Sequence, residues 1–315
     1  MLSILLLVIG FVLLIKGADL FVDGSSSVAK ILKVPSVIIG LTIVSLGTSA
    51  PEAAVSISAG LKGNNDIALS NVVGSNIFNL LLVIGISAII TPFLVDKDIK
   101  KRDLPINIIL TTVLLIFTYT GQGLSRVEGI LFLITMVIYI LVLIKNAMKN
   151  KVEVEEEAKI LSIPKSIIFI FIGIAAIIFG GDLVVDSATA IAKSLGVSDL
   201  LIGLTIVAIG TSLPELVTSV IAAKKGESGL ALGNAVGSSI FNIIFILGLS
   251  STLSPIGVAK ADFNFVLIDL FVLLVVGMLI QVFCISREKV SRFEGIFCTV
   301  VYVAYTAYII MRTIM

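Results

Sequence analysis

Glu52 and Glu215 close two near-identical hexapeptides, GTSAPE from Gly47 and GTSLPE from Gly210. Each sets a carboxylate, a proline and two hydroxyls inside a stretch apolar enough to cross a bilayer. An ionisable side chain is costly at that depth and marks a functional site by default. Around Glu52, Thr42, Ser45, Ser49 and Ser56 follow at steps of three and four, one polar stripe on a helix otherwise made of Ile, Val, Leu and Ala. Thr205, Ser212 and Ser219 repeat the stripe around Glu215, with Ala208 replacing the serine. Farther along, Asn71, Ser75 and Asn79 fall at i, i+4 and i+8, and Asn234, Ser238 and Asn242 match them. Gly74 and Gly237 beside them allow another helix to approach closely. One isolated Ser or Asn more often glues helices together; repetition of the whole pattern beside a glutamate points to binding instead.

Pro51 and Pro214 lack the N–H that would reach the carbonyls of Gly47 and Gly210, so each helix is expected to kink just before its glutamate. Broken helices at membrane depth use such carbonyls to bind cations. Carboxylates, hydroxyls, amides and carbonyls make an all-oxygen donor set. The chain has no histidine, and Cys284 and Cys298 have no metal-like spacing and read as packing residues. Hard cations suit these donors: Ca²⁺ takes about 6–8 oxygens at roughly 2.3–2.6 Å, whereas Mg²⁺ holds its waters and is disfavoured. Sodium accepts similar ligands. One pocket can therefore hold one divalent ion or several sodium ions against the charge of Glu52 and Glu215, and mutually exclusive occupancy is what exchange requires.

The elements that must position these residues arise by duplication. Gly17 to Pro92 and Gly180 to Pro255 align without a gap, with about half the positions identical. The chain is 58% hydrophobic and 14% charged, with a mean hydropathy of +1.18, which excludes a soluble globular domain. Ten apolar segments can be laid out: Leu2 to Val22, Ser36 to Leu61, Ile67 to Ile90, Leu104 to Tyr119, Val127 to Ile144, Ser166 to Val185, Leu200 to Ala223, Leu230 to Leu253, Phe263 to Phe283 and Phe293 to Met311. Five fall in each half, and an odd number inverts the second copy in the membrane. The expected fold is all-α and integral to the membrane: two inverted five-helix repeats, residues 1–147 and 166–315, with helices 2, 3, 7 and 8 broken and forming the core. Residues 148–165 form an acidic linker, including Glu153, Glu155, Glu156 and Glu157, read as solvated and too short for a folded domain.

Basic residues test that layout, because cytoplasmic loops carry excess positive charge. Lys30, Lys33, Lys97, Lys100, Lys101, Arg102, Lys145, Lys149, Lys151, Lys159, Lys165, Lys224, Lys225, Arg287, Lys289 and Arg292 fall on one side; Lys62, Arg126, Lys193, Lys260 and Arg312 fall on the other. Both termini are therefore expected outside and the linker in the cytoplasm. Leu2 to Ile15 lacks a basic flank and a cleavage site and reads as a mature helix. A net charge of +1 gives no reason to expect nucleic acid. Asp19, Asp23, Asp182 and Asp186 are duplicated near the ends of the first and sixth segments and are expected to cap helices or face the aqueous boundary. Asp269 has no partner in the first half at the same offset, which leads to Ile106, and no role follows for it.

GTSAPE and GTSLPE, each followed about 20 residues later by NVVGSNIFN and NAVGSSIFN, closely resemble the two alpha repeats of the cation/calcium antiporter superfamily, in its sodium/calcium exchanger branch of prokaryotic type without a large regulatory loop. The resemblance covers both repeats and the ten-segment layout. Carried over by position, it implies that Thr48, Ser49, Glu52, Ser75 and Asn79, with Thr211, Ser212, Glu215, Ser238 and Asn242, hold the ions, joined by the backbone carbonyls of Ser45 and Ala208. It implies electrogenic exchange of about three Na⁺ for one Ca²⁺ by alternating access, the first and sixth helices sliding across the core. The expected setting is a cell membrane, the chain monomeric in the lipid bilayer and without a cofactor. Asn242 occupies a position where potassium-dependent relatives, and some prokaryotic ones, carry aspartate, which argues against K⁺ cotransport and bears on the sodium stoichiometry.

Other readings are weaker. A proton-coupled cation antiporter keeps the same site, although the proton-using relatives carry different repeat motifs. A passive cation channel can also be built from acidic rings and carbonyls, but a repeat with broken helices fits alternating access better. An enzyme is least supported: the hydroxyls have no histidine base and no paired acids suggest a hydrolytic water.

Overall fold

The computed structural model describes residues 2–61, 65–149, 160–197, 202, 206, 208–286 and 289–314. Thr205, Lys62, Lys151, Lys159, Arg287 and the glutamates of the linker lie outside the described residues. The helices are α1 (Leu2–Leu32), α2 (Ser36–Thr48), α3 (Ala50–Leu61), α4 (Ile67–Ile90), α5 (Ile99–Gly121), α6 (Arg126–Lys149), α7 (Ile163–Ser194), α8 (Leu213–Lys224), α9 (Ser228–Leu253), α10 (Phe263–Ser286) and α11 (Arg292–Thr313). Among the described residues, eight helices are long and apolar enough to cross a membrane, and α2 with α3 makes a ninth span bent by 49°. The chain is a multi-pass, all-helical membrane protein. Of the seventh expected segment, the described part comprises Ile202, Ile206, a helical turn Ala208–Gly210, Thr211, Ser212 and α8.

The structure departs from two expectations. Helices 3 and 8, now α4 and α9, are not broken; each runs on through a π-helical stretch, Phe78–Val83 and Asn242–Leu247. Neither contains proline, so the backbone widens by a turn where a proline would have cut it. Of the two alternatives expected for the duplicated aspartates, helix capping is not met, because α1 and α7 extend well past them. Asp19 and Asp23 instead lie half-exposed on α1, each 2.6 Å from Lys225 Nζ.

Burial separates the centre from the rim. In α4 and α9, 78% and 94% of the most apolar stretch is buried, against 33% or less for α1, α5, α6, α7, α10 and α11. The outer helices turn side chains such as Ile134, Phe171, Phe179 and Val303 outward, as lipid-facing surfaces require.

Glycines set how the helices meet. Gly10 lies against Gly180 and Val184, Gly17 against Gly173 and Ile177, and Gly24 against Ser166 and Ile170, so α1 and α7 run antiparallel over most of their length. A Cβ on Gly173 would stand 2.7 Å from Phe21 Cβ, closer than two side chains can pack. Gly233 meets Val37 and Leu41, and Gly237 meets Leu41 and Ser45, which lays α2 parallel to α9.

The two halves also clasp each other. Gly85 of α4 packs on Gly295 of α11, and Gly248 of α9 packs on Gly129 of α6. Beside each contact is a two-residue antiparallel ribbon: β1 (Phe93–Leu94) pairs with β4 (Lys289–Val290), and β2 (Gly123–Leu124) with β3 (Ile256–Gly257). α6 and α11 begin alike, at SRVEGI from Ser125 and SRFEGI from Ser291. In both, the Ser N–H donates to the glutamate at 2.7 Å, Ser125 to Glu128 and Ser291 to Glu294, and the glutamate N–H returns to the serine oxygen, a capping box. These motifs stand 166 positions apart rather than the 163 that separates the first repeat, so three residues are added before them.

That shift corrects the reading of Asp269. Its counterpart is Asp103, not Ile106, and Tyr305 is the counterpart of Tyr139. Tyr139 donates to Asp103 at 3.0 Å, and Tyr305 interacts with Asp269. The neutralising cations differ. Arg102, adjacent in sequence, pairs with Asp103 at 2.8 Å, whereas Arg312 reaches Asp269 from α11 with two bonds of 2.8 and 2.6 Å.

Candidate cation-binding site

The break before Glu52 falls where proline predicts it. Ser49 leaves helical geometry at φ −80°, ψ 9°, and Glu52 enters the first turn of α3. Ser212 at φ −97°, ψ 6° and Pro214 set Glu215 in the first turn of α8 in the same way. Both carboxylates thus lie at the positive end of a helix dipole. The breaks are not identical: Ser49 N–H bonds Ser45 O at 3.0 Å, while Ser212 N–H bonds Ile209 O at 3.2 Å, which leaves the Ala208 carbonyl without that donor.

The glutamates are fully buried, and hydroxyls from the opposite half hold them. Ser49 Oγ donates to Glu215 Oε1 at 2.9 Å, and Ser212 Oγ donates to Glu52 Oε1 at 3.0 Å. Ser75 Oγ is 3.1 Å from Ser212 Oγ. Behind the carboxylates, Asn71 Nδ2 donates to Ser56 Oγ at 3.0 Å and to Glu52 O at 3.4 Å; Asn234 Nδ2 donates to Ser219 Oγ at 2.9 Å and to Glu215 O at 3.3 Å. These matched amides fasten α3 to α4 and α8 to α9. Thr48 Oγ1 adds a cross-link to Asn234 Oδ1 at 3.0 Å.

Ten of the twelve residues singled out from the sequence, Thr48, Ser49, Glu52, Ser75, Asn79, Ser212, Glu215, Ser238, Asn242 and Ser45, are buried together; Thr211 is partly exposed, and for Ala208 only the backbone is described. Of the first stripe, Thr42 turns away and bonds Ile38 O at 2.6 Å. Ser45 returns its hydroxyl to Leu41 O at 2.9 Å, so its carbonyl is what it can offer.

Oxygens predominate among the atoms left unsatisfied. Glu52 Oε2, Glu215 Oε2, Asn79 Oδ1, Asn242 Oδ1, Ser238 Oγ and Thr211 Oγ1 are buried without a hydrogen-bond partner. Each orphaned group costs about 1–3 kcal/mol, and a buried, acceptor-rich interior with two carboxylates is chemistry that a hard cation satisfies. Among the described residues there is no cluster of three or more His, Cys, Asp or Glu side chains, which sets this interior apart from a transition-metal centre.

One residue escaped the sequence reading. Asn76 sits between Ser75 and Asn79, and because the second half has Ser239 there it looked unrepeated. Asn242 Nδ2 donates to its Oδ1 at 3.0 Å, and its own Nδ2 donates to Ser239 O at 3.0 Å. The signal was an amide on the buried face of α4.

Helices that cross the membrane many times, meeting around two buried carboxylates and a shell of hydroxyls and amides, define an ion-transport protein. The model of the family described as sodium/calcium exchanger protein matches residues 2–145 and 165–311, and the chain belongs to that family. It is 35% identical to the inner membrane protein YrbG of Escherichia coli (strain K12), over 98% of this chain and 96% of that one. It is 33% identical to the sodium/calcium exchanger MaX1 of Methanosarcina acetivorans, over 96% and 97%. The fold matches the sodium-calcium exchanger NCX_Mj, soaked with 2.5 mM Na⁺ and 0.1 mM Ca²⁺, with a TM-score of 0.84 at 32% identity over 98% of both chains.

Proposed function

We propose that this protein exchanges Na⁺ for Ca²⁺ across a cell membrane by alternating access, without K⁺ and without a cofactor. The observation that carries the reading is the crossed pair: each carboxylate is held by one oxygen to a serine of the opposite half and keeps its second oxygen unpartnered. Thr48, Ser49, Glu52, Ser75 and Asn79, with Thr211, Ser212, Glu215, Ser238, Asn242 and the carbonyls of Ser45 and Ala208, supply the ligands. Two negative charges balance one Ca²⁺ or two Na⁺, and exchange of about three Na⁺ for one Ca²⁺ moves net charge because three positive charges cross against two. Asn242 is neutral, which removes the additional carboxylate a K⁺ site would use.

The chain is organised as ten spans in two inverted repeats, residues 1–147 and 166–315, joined by a cytoplasmic linker at 148–165, with both termini outside and one copy as the working unit. The antiparallel α1 and α7, the clasped contacts of α4 with α11 and α9 with α6, and the paired ribbons support this arrangement. The glycine-lined face between α1 and α7 suits two helices that slide together across the core. Purified protein in liposomes should take up ⁴⁵Ca²⁺ when loaded with Na⁺. An inside-positive potential should stimulate that uptake, because net positive charge leaves with the sodium. Uptake that ignores the sodium gradient, or that follows a pH gradient in sodium-free buffer, would sink the reading.

A further inference from the structure

We infer that Asn76 is a positioning residue that fixes the amide of Asn242 with its oxygen, not its nitrogen, available to the bound cation; the inference rests on the proposed cation site. The polarity is set at a backbone atom. Ser239 O can only accept, so the group of Asn76 beside it, 3.0 Å away, must be the NH₂. Asn76 Oδ1 therefore points the other way and can only accept. The group of Asn242 that meets it at 3.0 Å must then also be an NH₂. Asn242 Oδ1 is left buried and unpartnered, at the first residue of the π-helical stretch of α9. The fixed polarity of one carbonyl is thus relayed through two amides to an oxygen in the interior.

The other half has no such relay. Ser239, the counterpart of Asn76, spends its hydroxyl on Ala235 O at 3.0 Å, and neither atom of the Asn79 amide has a partner. Asn242 is therefore a preset ligand and Asn79 an adaptable one. The relay also selects an amide at position 242. An ionised aspartate there could not donate to Asn76 Oδ1; Asn76 would have to reverse, bringing its oxygen against Ser239 O. Asn76 thereby keeps the charge of the site at its two glutamates, which is a specificity role.

Direct ⁴⁵Ca²⁺ binding to the detergent-solubilised protein, alongside flux in liposomes, tests this. In Asn76→Ala the half-saturating Ca²⁺ concentration should rise about five- to tenfold, the worth of one lost charge-orienting hydrogen bond, while the maximal flux stays within about twofold. In an Asn242→Ala background the same substitution should do nothing further, because its effect runs through Asn242. Asn242→Asp should bind Ca²⁺ better with Asn76→Ala than with Asn76 present. Unchanged affinity in Asn76→Ala, or an equal loss in the Asn242→Ala background, overturns the inference. Binding without sodium-dependent flux in the unsubstituted protein counts against exchange and leaves the binding comparison to decide the role of Asn76.

Discussion

Ser212 Oγ donates to Glu52 Oε1 over 3.0 Å, so the hydroxyl that steadies the first glutamate belongs to the second half of the chain. Ser49 returns the same bond to Glu215 at 2.9 Å. Each half therefore completes the other's carboxylate, and neither α3 nor α8 can move away without giving up a charge-assisted bond. Such bonds are worth about 1.5–3 kcal/mol. Ser49→Ala and Ser212→Ala should each raise the half-saturating Ca²⁺ concentration by about tenfold or more, by similar amounts, in ⁴⁵Ca²⁺ flux measurements. A large loss in one and none in the other would show that the crossing is not functional.

The glutamates themselves are fully buried, so removing one charge relieves desolvation as it removes a ligand. Glu52→Gln and Glu215→Gln should melt at least as high as the unsubstituted protein in ion-free buffer. They should also lose the stabilisation by Ca²⁺, about 2.7 kcal/mol at a hundredfold excess over Kd. Thermal unfolding in detergent, with and without Ca²⁺, reads both effects. A Ca²⁺-induced rise that survives either substitution would place the site elsewhere.

α1 and α7 offer a way to separate binding from movement. A Cβ at Gly173 would meet Phe21 Cβ at 2.7 Å and Gly17 O at 2.8 Å, and overpacking of this kind costs about 1–3 kcal/mol. Gly173→Ala should slow sodium-driven flux several-fold while equilibrium ⁴⁵Ca²⁺ binding stays near normal; equal loss of both would mean that α1 and α7 shape the site and not its access.

The residues of the candidate site stand out in the sequence because their motif is local: GTSAPE carries a carboxylate, a serine and a helix break within six residues, and duplication gave the second copy. Family membership followed from the same motifs. What the sequence hid was relational. The crossing of Ser49 to Glu215 depends on how two halves meet, and the relay through Asn76 depends on a backbone carbonyl, Ser239 O, that no side-chain pattern announces. The continuity of α4 and α9 was hidden too, since a π-helical turn has no residue signature as clear as proline. Asp269 was hidden for a simpler reason: three added residues moved its counterpart from Ile106 to Asp103.

The pairing of Asp269 with Arg312 bears on stability. Asp269 lies mostly buried at 15% side-chain exposure, and Arg312, at 17%, meets it with two bonds while lying over the rings of Phe265 and Tyr308 at 5.1 and 5.3 Å. Asp103 also meets a tyrosine, Tyr139, and two arginine bonds, but its arginine is the adjacent Arg102, which bonds Asp98 as well at 3.1 Å. Breaking a buried pair from one side strands the other charge, at a cost of about 3–5 kcal/mol, whereas replacing both partners by apolar groups is often neutral. Arg312→Ala should therefore lower the melting temperature markedly, and Asp269→Leu with Arg312→Met should restore most of the loss. Asp103→Asn should cost less than Arg312→Ala, because Arg102 retains Asp98 and the amide can still bond Tyr139. Thermal melts of the four proteins in one detergent decide it: a double variant as unstable as Arg312→Ala would show that the ion pair contributes specific geometry and not merely mutual neutralisation.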